Sequence, residues 1–231
     1  MNCQAIPAPE EIQALLDRAG LSLVRTDEGL TLTDGELSLA GDFTRMAPRI
    51  KPGKLTGELL VKAAKIKGEQ DQLRAVDGTA GLGEDSFLLA AAGFQVTLFE
   101  HNPVIAALLG DALDRALANP ELHEVASRME LRYQDSVEGL SALGFQPDVV
   151  LLDPMFPARR KSASVKKKLQ LLQRLEQPCT DEETLLEAAM ATAPRKLIVK
   201  RPPKGPFLAD RKPGYSLTGK AVRYDVTPFA R

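Results

Sequence analysis

A glycine-rich stretch bordered by acids lies where the chain is predicted to pass from a β-strand into a helix. Its sequence is Asp-Gly-Thr-Ala-Gly-Leu-Gly-Glu-Asp, from residue 77 to residue 85. At such a turn, glycines let the backbone approach a ligand closely, and the helix N-terminus presents free N–H groups. The glycine spacing differs from the G-x-G-x-x-G of dinucleotide-binding proteins, and the acids at its end would repel a pyrophosphate. The stretch therefore favours a ligand with a cationic centre, and a tight turn with helix-capping acids is the alternative. The candidate binding residues here are Asp77, Gly78, Gly81, Gly83, Glu84 and Asp85.

Two further polar positions follow predicted strands. Glu100 ends the second strand, where Rossmann-like proteins place an acid that accepts hydrogen bonds from the two ribose hydroxyls of an adenosine. An acid at this position is also typical of a helix cap, because Asn102-Pro103 begins a helix. Asp135 and Ser136 follow the third strand, where an Asp can accept a hydrogen bond from an adenine amine. The same pair could equally form a simple turn.

The fourth predicted strand leads into Asp153-Pro154-Met155-Phe156-Pro157. Four apolar residues, from Val149 to Leu152, indicate a strand buried on both faces, so Asp153 emerges at its carboxyl end. The two prolines stiffen the turn that follows. Asp153 and the carbonyl of Pro154 could accept hydrogens from an exocyclic amine while Phe156 stacks on the base. A plain proline-rich strand exit is the alternative.

The elements that must position these residues alternate between strands and helices. Strands are predicted at 74–77, 94–100, 129–134, 148–153 and 196–200, helices at 10–19, 55–66, 86–92, 104–117 and 181–193, and a hairpin at 215–229. This alternation predicts an α/β fold with a mostly parallel, doubly wound, Rossmann-like sheet that closes with the antiparallel hairpin. Residues 21–39 alternate apolar and polar side chains between turn signals, which indicates a small β-meander. We therefore predict a small α+β segment over residues 1–45 and a larger domain over residues 46–231.

Composition excludes several classes of protein. The chain has 231 residues, of which 44% are hydrophobic and 26% charged, so it is neither disordered nor a low-complexity sequence. Cys3 and Cys179 are far apart and lack partners at metal-ligand spacing, which indicates neither a disulfide framework nor a metal site. No apolar run is long enough for a membrane span, and we expect a cytoplasmic protein.

The net charge of −1 hides an uneven distribution. The windows 45–67, 158–174 and 195–212 together contain 21 basic and 2 acidic residues. Separate basic windows in a nearly neutral chain favour a phosphate-rich partner, because neutralised phosphates release counterions and strengthen binding. A solvated helix face is the alternative.

The glycine stretch, Glu100 and the motif at 153–157 together resemble class I S-adenosylmethionine-dependent methyltransferases. The residues from Asp153 to Phe156 are similar to their [D/N]-P-P-[Y/F] motif for methylating amino groups. The chain is most similar to the ribosomal RNA small subunit methyltransferase J family. The supporting segments are G-L-G-E-D-S at 81–86, H-N-P-V-I-A-A-L-L at 101–109, L-D-P-M-F-P at 152–157, K-S-A-S-V-K-K at 161–167 and V-K-R-P at 199–202.

This resemblance implies an enzyme that transfers a methyl group from S-adenosylmethionine to the N2 amine of a guanine in 16S ribosomal RNA, free or in a small-subunit particle. It implies cofactor contacts at Glu84, Asp85, Glu100, His101, Asp135, Ser136 and Asp153, with the glycine stretch beneath the methionine moiety. Asp153, Pro154 and Phe156 would orient the amine and the base. The predicted RNA-binding residues are Arg159, Arg160, Lys161, Lys166, Lys167, Lys168, Lys200 and Arg201.

Other functions remain open from the residues alone. An adenine-N6 or glutamine-N5 methyltransferase could use the same acid and aromatic residue. A non-catalytic RNA-binding or assembly factor could keep the same fold. A NAD-dependent oxidoreductase would require a different glycine order.

Overall fold

The computed structural model describes residues 3–4, 8–68, 72–154, 167–175 and 181–230. Its strands are β1 (Cys3–Gln4), β2 (Ser22–Thr26), β3 (Gly29–Thr33), β4 (Ser38–Ala40), β5 (Arg74–Asp77), β6 (Gln95–Glu100), β7 (Met129–Tyr133), β8 (Val149–Leu152), β9 (Lys196–Arg201), β10 (Tyr215–Thr218) and β11 (Arg223–Pro228). Its helices are α1 (Pro9–Ala19), α2 (Ala47–Ile50), α3 (Leu59–Ala64), α4 (Glu84–Ala91), α5 (Pro103–Ala118), α6 (His123–Ala126), α7 (Ser136–Ser141), α8 (Lys167–Leu175) and α9 (Glu182–Ala191). Short 3-10 turns lie at Phe43–Met46, Leu55–Gly57 and Leu208–Asp210.

The main sheet has eight strands in the order β1-β7-β6-β5-β8-β9-β11-β10. The strands from β1 to β9 in this order are parallel, whereas β11 is antiparallel to β9 and β10 is antiparallel to β11. The chain proceeds outward from β5 on one side through β6 and β7, and then on the other side through β8 and β9. Open α/β sheets bind ligands at such a reversal, outside the carboxyl ends of the strands, which here are those of β5, β6 and β8. The predicted Rossmann-like fold class is confirmed.

Helices cover both faces of this sheet, and successive residues of β8 show how. Val149 and Leu151 belong to the apolar layer that includes Phe87 of α4, whereas Val150 and Leu152 belong to the layer that includes Leu185 of α9. Side chains alternate between faces along a strand, so a strand covered on both sides must be apolar throughout. The buried run predicted before Asp153 therefore has the expected position.

Strands β2, β3 and β4 form a separate antiparallel sheet, as the alternating pattern predicted. Leu32 and Leu39 of this sheet share an apolar cluster with Leu108 of α5 and Leu172 of α8. Just beyond β4, Phe43 stacks on Phe87 with ring centroids 4.7 Å apart. Contacts thus cross the predicted boundary at residue 45, and β1 pairs with β7 of the main sheet. The division into two domains at that residue stays a prediction.

The helix predicted over residues 55–66 is interrupted in the structure. A 3-10 turn ends at Gly57, Glu58 is extended with φ −63° and ψ 132°, and α3 begins at Leu59. Helix α3 ends at Ala64, with Lys65 as its C-cap, two residues before the predicted end at residue 66. Helices α7 and α8 were not predicted, since α7 has only six residues and α8 lies in a basic window.

No helix in the described parts of the chain is both long and apolar enough to cross a membrane. Among the same residues, no three His, Cys, Asp or Glu side chains are grouped as they would be around a metal ion.

Candidate active site

The glycine loop, residues 77–83, is attached to the strands on both sides of β5. The N–H of Gly78 donates to the carbonyl of Leu151 at 2.9 Å, and the N–H of Ala80 donates to the carbonyl of Phe99 at 3.1 Å. Gly83 is the N-cap of α4 and has a φ of 76°. A Cβ at this position would lie 2.7 Å from Cδ1 of Leu109, so both backbone conformation and space require glycine. The loop thereby brings the N-terminus of α4 to the carboxyl edge of the sheet.

Asp77 supports this loop from the interior. It is 2% exposed. Its Oδ2 accepts a hydrogen bond from Oγ of Ser86 at 2.5 Å, and its Oδ1 accepts one from the N–H of Thr79 at 3.0 Å. Burial raises the pKa of Asp77 to about 6, although both hydrogen bonds oppose that rise. The observed contacts are therefore structural, and a direct contact between Asp77 and a cofactor stays a prediction.

Glu100 links the end of β6 to the same loop. Its side chain is 5% exposed. Oε2 accepts a hydrogen bond from the N–H of Gly81 at 2.9 Å, and Oε1 accepts one from the N–H of Asn102 at 2.8 Å. A carboxylate oxygen has two acceptor sites, so these bonds are compatible with additional hydrogen bonds from a ribose. The neighbouring His101 side chain is 70% exposed, and its Nδ1 lies 3.8 Å from Oε1 of Glu100.

Asp135 and Ser136 have different roles at the end of β7. Asp135 is exposed and caps α7, with Oδ1 accepting hydrogen bonds from the N–H groups of Val137 and Glu138. This contact matches the simple-turn alternative, and an adenine contact by Asp135 stays a prediction. The Ser136 hydroxyl donates to the carbonyl of Gly78, which brings α7 against the glycine loop.

Asp153 lies beside the glycine loop at the end of β8. Its backbone N–H donates to Oγ1 of Thr79 at 2.5 Å, and its side chain is 40% exposed. Nζ of Lys200 lies 2.9 Å from Oδ2 of Asp153 and 2.7 Å from Oδ2 of Asp85. Lys200 therefore joins two predicted cofactor-binding acids from different elements. Phe156, the predicted base-stacking residue, lies outside the described residues.

Charges at this edge are strongly coupled. The surrounding protein raises the pKa of Asp153 by desolvation, and Lys200 opposes this rise. Burial lowers the pKa of Lys200, but the carboxylates of Asp85 and Asp153 outweigh burial and hold it above its usual value. Lys200 consequently stays protonated. Asp77, Glu84, Asp85, Glu100 and Asp153 all lie in the glycine loop, in the first turn of α4 or at adjoining strand ends. This acid-rich edge fits a positively charged ligand such as a sulfonium.

The structure separates the predicted RNA-binding residues. Arg201 has a side chain that is only 1% exposed, and it donates to the carbonyl of Pro206 at 3.0 Å and contacts Glu182 at 3.5 Å. This burial contradicts an RNA contact by Arg201, because its side chain alternates to the covered face of β9. Lys200 is 29% exposed and pairs with acids of the site. Lys167 and Lys168 lie in the first turn of α8. Arg159, Arg160, Lys161 and Lys166 lie outside the described residues.

Sequence reasoning missed two links within the site. Thr79, inside the glycine loop, joins that loop to Asp153. Lys200 was assigned to RNA, yet β9 pairs with β8 in parallel with Leu152 opposite Val199, which brings the following residues, Asp153 and Lys200, together. A hydroxyl residue among the glycines was the available signal for Thr79, whereas the contact of Lys200 depends on the register between β8 and β9.

Comparisons with known proteins agree with this geometry. The family model described as "Putative SAM-dependent methyltransferase" matches residues 10–228, where SAM is S-adenosylmethionine. The ribosomal RNA small subunit methyltransferase J of Pseudomonas aeruginosa is 46% identical over 247 residues, covering 99% of this chain and 94% of the relative. The protein of the same name from Neisseria gonorrhoeae is 42% identical over 200 residues, covering 85% of this chain and 79% of the relative.

A solved structure supports the same assignment. The crystal structure of a SAM-dependent methyltransferase from Neisseria gonorrhoeae superimposes with a TM-score of 0.73 and 33% identity, covering 98% of this chain and 94% of that one. With the acid-rich edge, the glycine loop and these relatives in agreement, the chain belongs to the ribosomal RNA small subunit methyltransferase J family of SAM-dependent methyltransferases.

Proposed function

We propose that this enzyme transfers a methyl group from S-adenosylmethionine to the exocyclic N2 amine of a guanine in 16S ribosomal RNA. The observation that carries the proposal is the position of Asp153. Its carboxylate is partly exposed at the carboxyl edge of the sheet, and its backbone is hydrogen-bonded to Thr79 of the glycine loop. An acceptor for an amine thus lies directly beside the loop that would hold the methyl donor. The name shared by the relatives supports ribosomal RNA as the substrate.

The residues of the donor site are suited to a cationic nucleoside. S-adenosylmethionine supplies a methyl group on a positively charged sulfur. Glu100 would accept hydrogen bonds from the ribose, and Gly81 and Gly83 let the loop backbone pass close to the methionine part. The negative charges of Asp85 and its neighbours favour the sulfonium electrostatically.

The acceptor amine needs orientation more than activation by a base. Its nitrogen lone pair is delocalised into the guanine ring, which makes the amine a poor nucleophile. Asp153 and the carbonyl of Pro154 would each accept a hydrogen bond from the amine. These two bonds would turn the lone pair toward the methyl group and stabilise the charge that develops on nitrogen. Phe156 would stack on the base. The proton can leave to water after the transfer.

The competing functions make different use of the same edge. A NAD-dependent oxidoreductase would place a pyrophosphate at the N-terminus of α4, where Glu84 and Asp85 lie. A non-catalytic RNA-binding factor does not require an acid supported by a lysine beside the glycine loop. Adenine-N6 and glutamine-N5 methyltransferases also transfer a methyl group to a planar NH2 nitrogen. Only identification of the methylated product distinguishes them from a guanine-N2 methyltransferase.

The proposed RNA surface surrounds the acceptor. We place it on the basic segment that follows Asp153 and on the segment that follows β9, because both leave strands at the carboxyl edge. Lys204, Arg211 and Lys212 of the second segment are exposed. The far end of the first segment packs against the protein instead, since Arg174 pairs with Asp34 at 3.0 Å and Leu171, Leu172 and Leu175 of α8 are buried.

The direct test is to incubate the protein with methyl-labelled S-adenosylmethionine and two acceptors purified from cells that lack the enzyme. One acceptor is naked 16S ribosomal RNA, and the other is the small ribosomal subunit. We expect label on N2 of one guanine after digestion and mass spectrometry. Label on an adenine or on protein would contradict the proposal. The acceptor that is methylated faster identifies the physiological form of the substrate.

A further inference from the structure

Lys200 makes two short ion pairs at the centre of the acidic edge. Its Nζ contacts Oδ2 of Asp153 at 2.9 Å and Oδ2 of Asp85 at 2.7 Å. Asp153 follows β8, Asp85 lies in the first turn of α4, and Lys200 belongs to β9. One ammonium group therefore connects three elements that surround the predicted reaction centre.

A second lysine of the same strand shows what is particular to Lys200. Lys196 lies four residues earlier on β9, so the two side chains project from the same face. Nζ of Lys196 donates to the backbone carbonyls of Ala63 at 2.8 Å and Lys65 at 2.7 Å. Lys196 thus ties the start of the strand to the end of α3. Lys200 instead contacts two carboxylates, both of which belong to predicted site residues.

The ion pair restricts the orientation of the Asp153 carboxylate. Contact with Lys200 holds Oδ2, which limits rotation of the carboxylate about its bond to Cβ. The direction in which Oδ1 accepts a hydrogen bond is then limited as well. Pairing with Asp85 fixes Lys200 itself, because an ammonium group held by two acids loses most of its rotational freedom. Such restraint matters when an acceptor must direct a lone pair, since a misplacement of about 1 Å can slow a reaction by about 100-fold.

We propose that Lys200 is a positioning residue for methyl transfer, which holds Asp153 in its amine-accepting orientation and connects it to the first turn of α4. The proposal rests on the proposed role of Asp153 in binding the guanine amine. It replaces the assignment of Lys200 to RNA binding, because the charge of the ammonium group is already compensated by two carboxylates.

The charges around Asp153 give the positioning role a measurable consequence. Asp85 on α4, Asp77 at the end of β5 and Tyr224 on β11 interact electrostatically with Asp153 or Lys200, and Arg201, on the other face of β9, also lowers the pKa of Asp153. Lys200 opposes the rise in the pKa of Asp153 that desolvation causes. Removal of Lys200 therefore raises that pKa further. Because the ionised carboxylate is the stronger acceptor, activity would then be lost at a higher pH as the solution is acidified.

The test compares Lys200→Met, Lys200→Arg and the control Lys196→Met in single-turnover reactions with saturating S-adenosylmethionine and small ribosomal subunits. Lys200→Met keeps most of the length of the side chain and removes the ammonium group with its charge. We expect its rate constant to fall by up to about 100-fold while the affinities for cofactor and RNA stay close to wild type. Lys200→Arg should recover much of the rate because it keeps a cationic donor. Lys196→Met should react at close to the wild-type rate.

A rate–pH profile separates positioning from a merely structural effect. The acid limb of Lys200→Met should lie at higher pH than that of the wild type, whereas Lys196→Met should not shift it. If Lys200→Met is poorly folded by circular dichroism, Asp85→Asn provides a second measurement. It removes the charge of one of the two partners of Lys200 and keeps an oxygen that can accept the hydrogen bond, so we expect a smaller decrease in rate in a folded protein.

Two outcomes would overturn the proposal. One is a wild-type rate for folded Lys200→Met at saturating RNA together with weaker RNA binding and a shallower salt dependence, which would identify an RNA contact. The other is an equal loss of rate in Lys200→Met and Lys196→Met without a shift in pH profile. Methylation of a different acceptor by the wild type would instead contradict the proposed function, and the rate ratio could still be measured on that acceptor.

Discussion

Two acids end strands on opposite sides of β5, and their surroundings differ. Glu100, the last residue of β6, is 5% exposed and accepts hydrogen bonds from the backbone N–H groups of Gly81 and Asn102. Asp153, after β8, is 40% exposed and pairs with the side chain of Lys200. The first carboxylate is held by the backbone, and the second by another side chain.

This difference is consistent with different roles for the two carboxylates. A buried carboxylate with backbone partners is rigid, which suits a group that recognises the same cofactor in every cycle. A partly exposed carboxylate can be reached by a large substrate such as RNA. We therefore expect substitutions of Glu100 to act mainly on cofactor binding and substitutions of Asp153 to act mainly on the rate of transfer.

The largest expected effect is on the rate of methyl transfer in Asp153→Ala. Loss of a positioned acceptor should lower the single-turnover rate by about 100- to 1000-fold. Cofactor affinity should change much less than in a substitution of Glu100. The matched control is Asp114→Ala, at an exposed position on α5. A near-normal rate in folded Asp153→Ala would refute the orienting role of this acid.

A third acid, Asp77, is more deeply buried than Glu100 or Asp153. We expect its burial to make the stability of the protein depend on pH. Its pKa rises from 3.8 to about 6 in the folded protein. Below about pH 4 the carboxyl is neutral in both the folded and unfolded states, so it carries no penalty. Between about pH 4 and 6 the folded protein binds the extra proton, so raising the pH through this range lowers stability by up to about 3 kcal/mol.

Asp77→Asn removes this titration. Denaturant unfolding of both proteins across this pH range should show the wild type losing stability relative to Asp77→Asn as pH rises. A difference in the free energy of unfolding that does not change with pH would contradict the prediction. Comparing the two proteins cancels the contribution of other titrating groups.

Glu100→Gln tests the cofactor side of the comparison. The amide cannot accept on its nitrogen, so one of the two backbone N–H groups loses its partner and the ribose loses a charged acceptor. We expect weaker binding of S-adenosylmethionine and of its demethylated product by about 1.5–3 kcal/mol, measured by calorimetry. Glu138→Gln, at an exposed position in the first turn of α7, is the control. Unchanged affinity would remove Glu100 from the ribose site.

Gly83→Ala and Gly93→Ala separate backbone strain from lack of space. Both glycines have positive φ, 76° and 99°. A Cβ at Gly83 would lie 2.7 Å from Leu109, whereas a Cβ at Gly93 meets no described atom within 4 Å. We expect Gly83→Ala to lower the free energy of unfolding by about 1–3 kcal/mol more than Gly93→Ala. Equal losses in thermal or denaturant unfolding would indicate strain alone.

The smallest effect is expected from replacing Lys166, Lys167 and Lys168 with Ala. These substitutions should weaken RNA binding and reduce its salt slope by about 0.7 to 0.9 for each phosphate that is no longer neutralised. Cofactor affinity, which we expect to depend on Glu100 and the glycine loop, should not change. If the variant binds RNA with the affinity and the salt dependence of the wild type, the RNA surface lies elsewhere.

Much of the architecture could be predicted from the sequence because its signals are local. The buried run of β8, the glycine loop and the acid that ends β6 are encoded by residues close together in the chain. Residue type and spacing also carry the resemblance to methyltransferases. Even the small N-terminal sheet was predicted from alternation between turns. The interruption of the helix predicted over 55–66 was not predicted, because apolar spacing alone does not show that Glu58 is extended.

The partners of charged side chains were decided by tertiary structure. A run of Lys and Arg predicts positive charge, but not whether each residue faces solvent, a carboxylate or a carbonyl. Parallel pairing of β9 with β8 brings Lys200 to Asp153, and strand alternation turns the adjacent Arg201 into the interior. The sequence by itself thus predicted which residues are candidates for methyl transfer. Pairing between distant strands decided which of them meet, because those contacts depend on register and strand order rather than on neighbours in the chain.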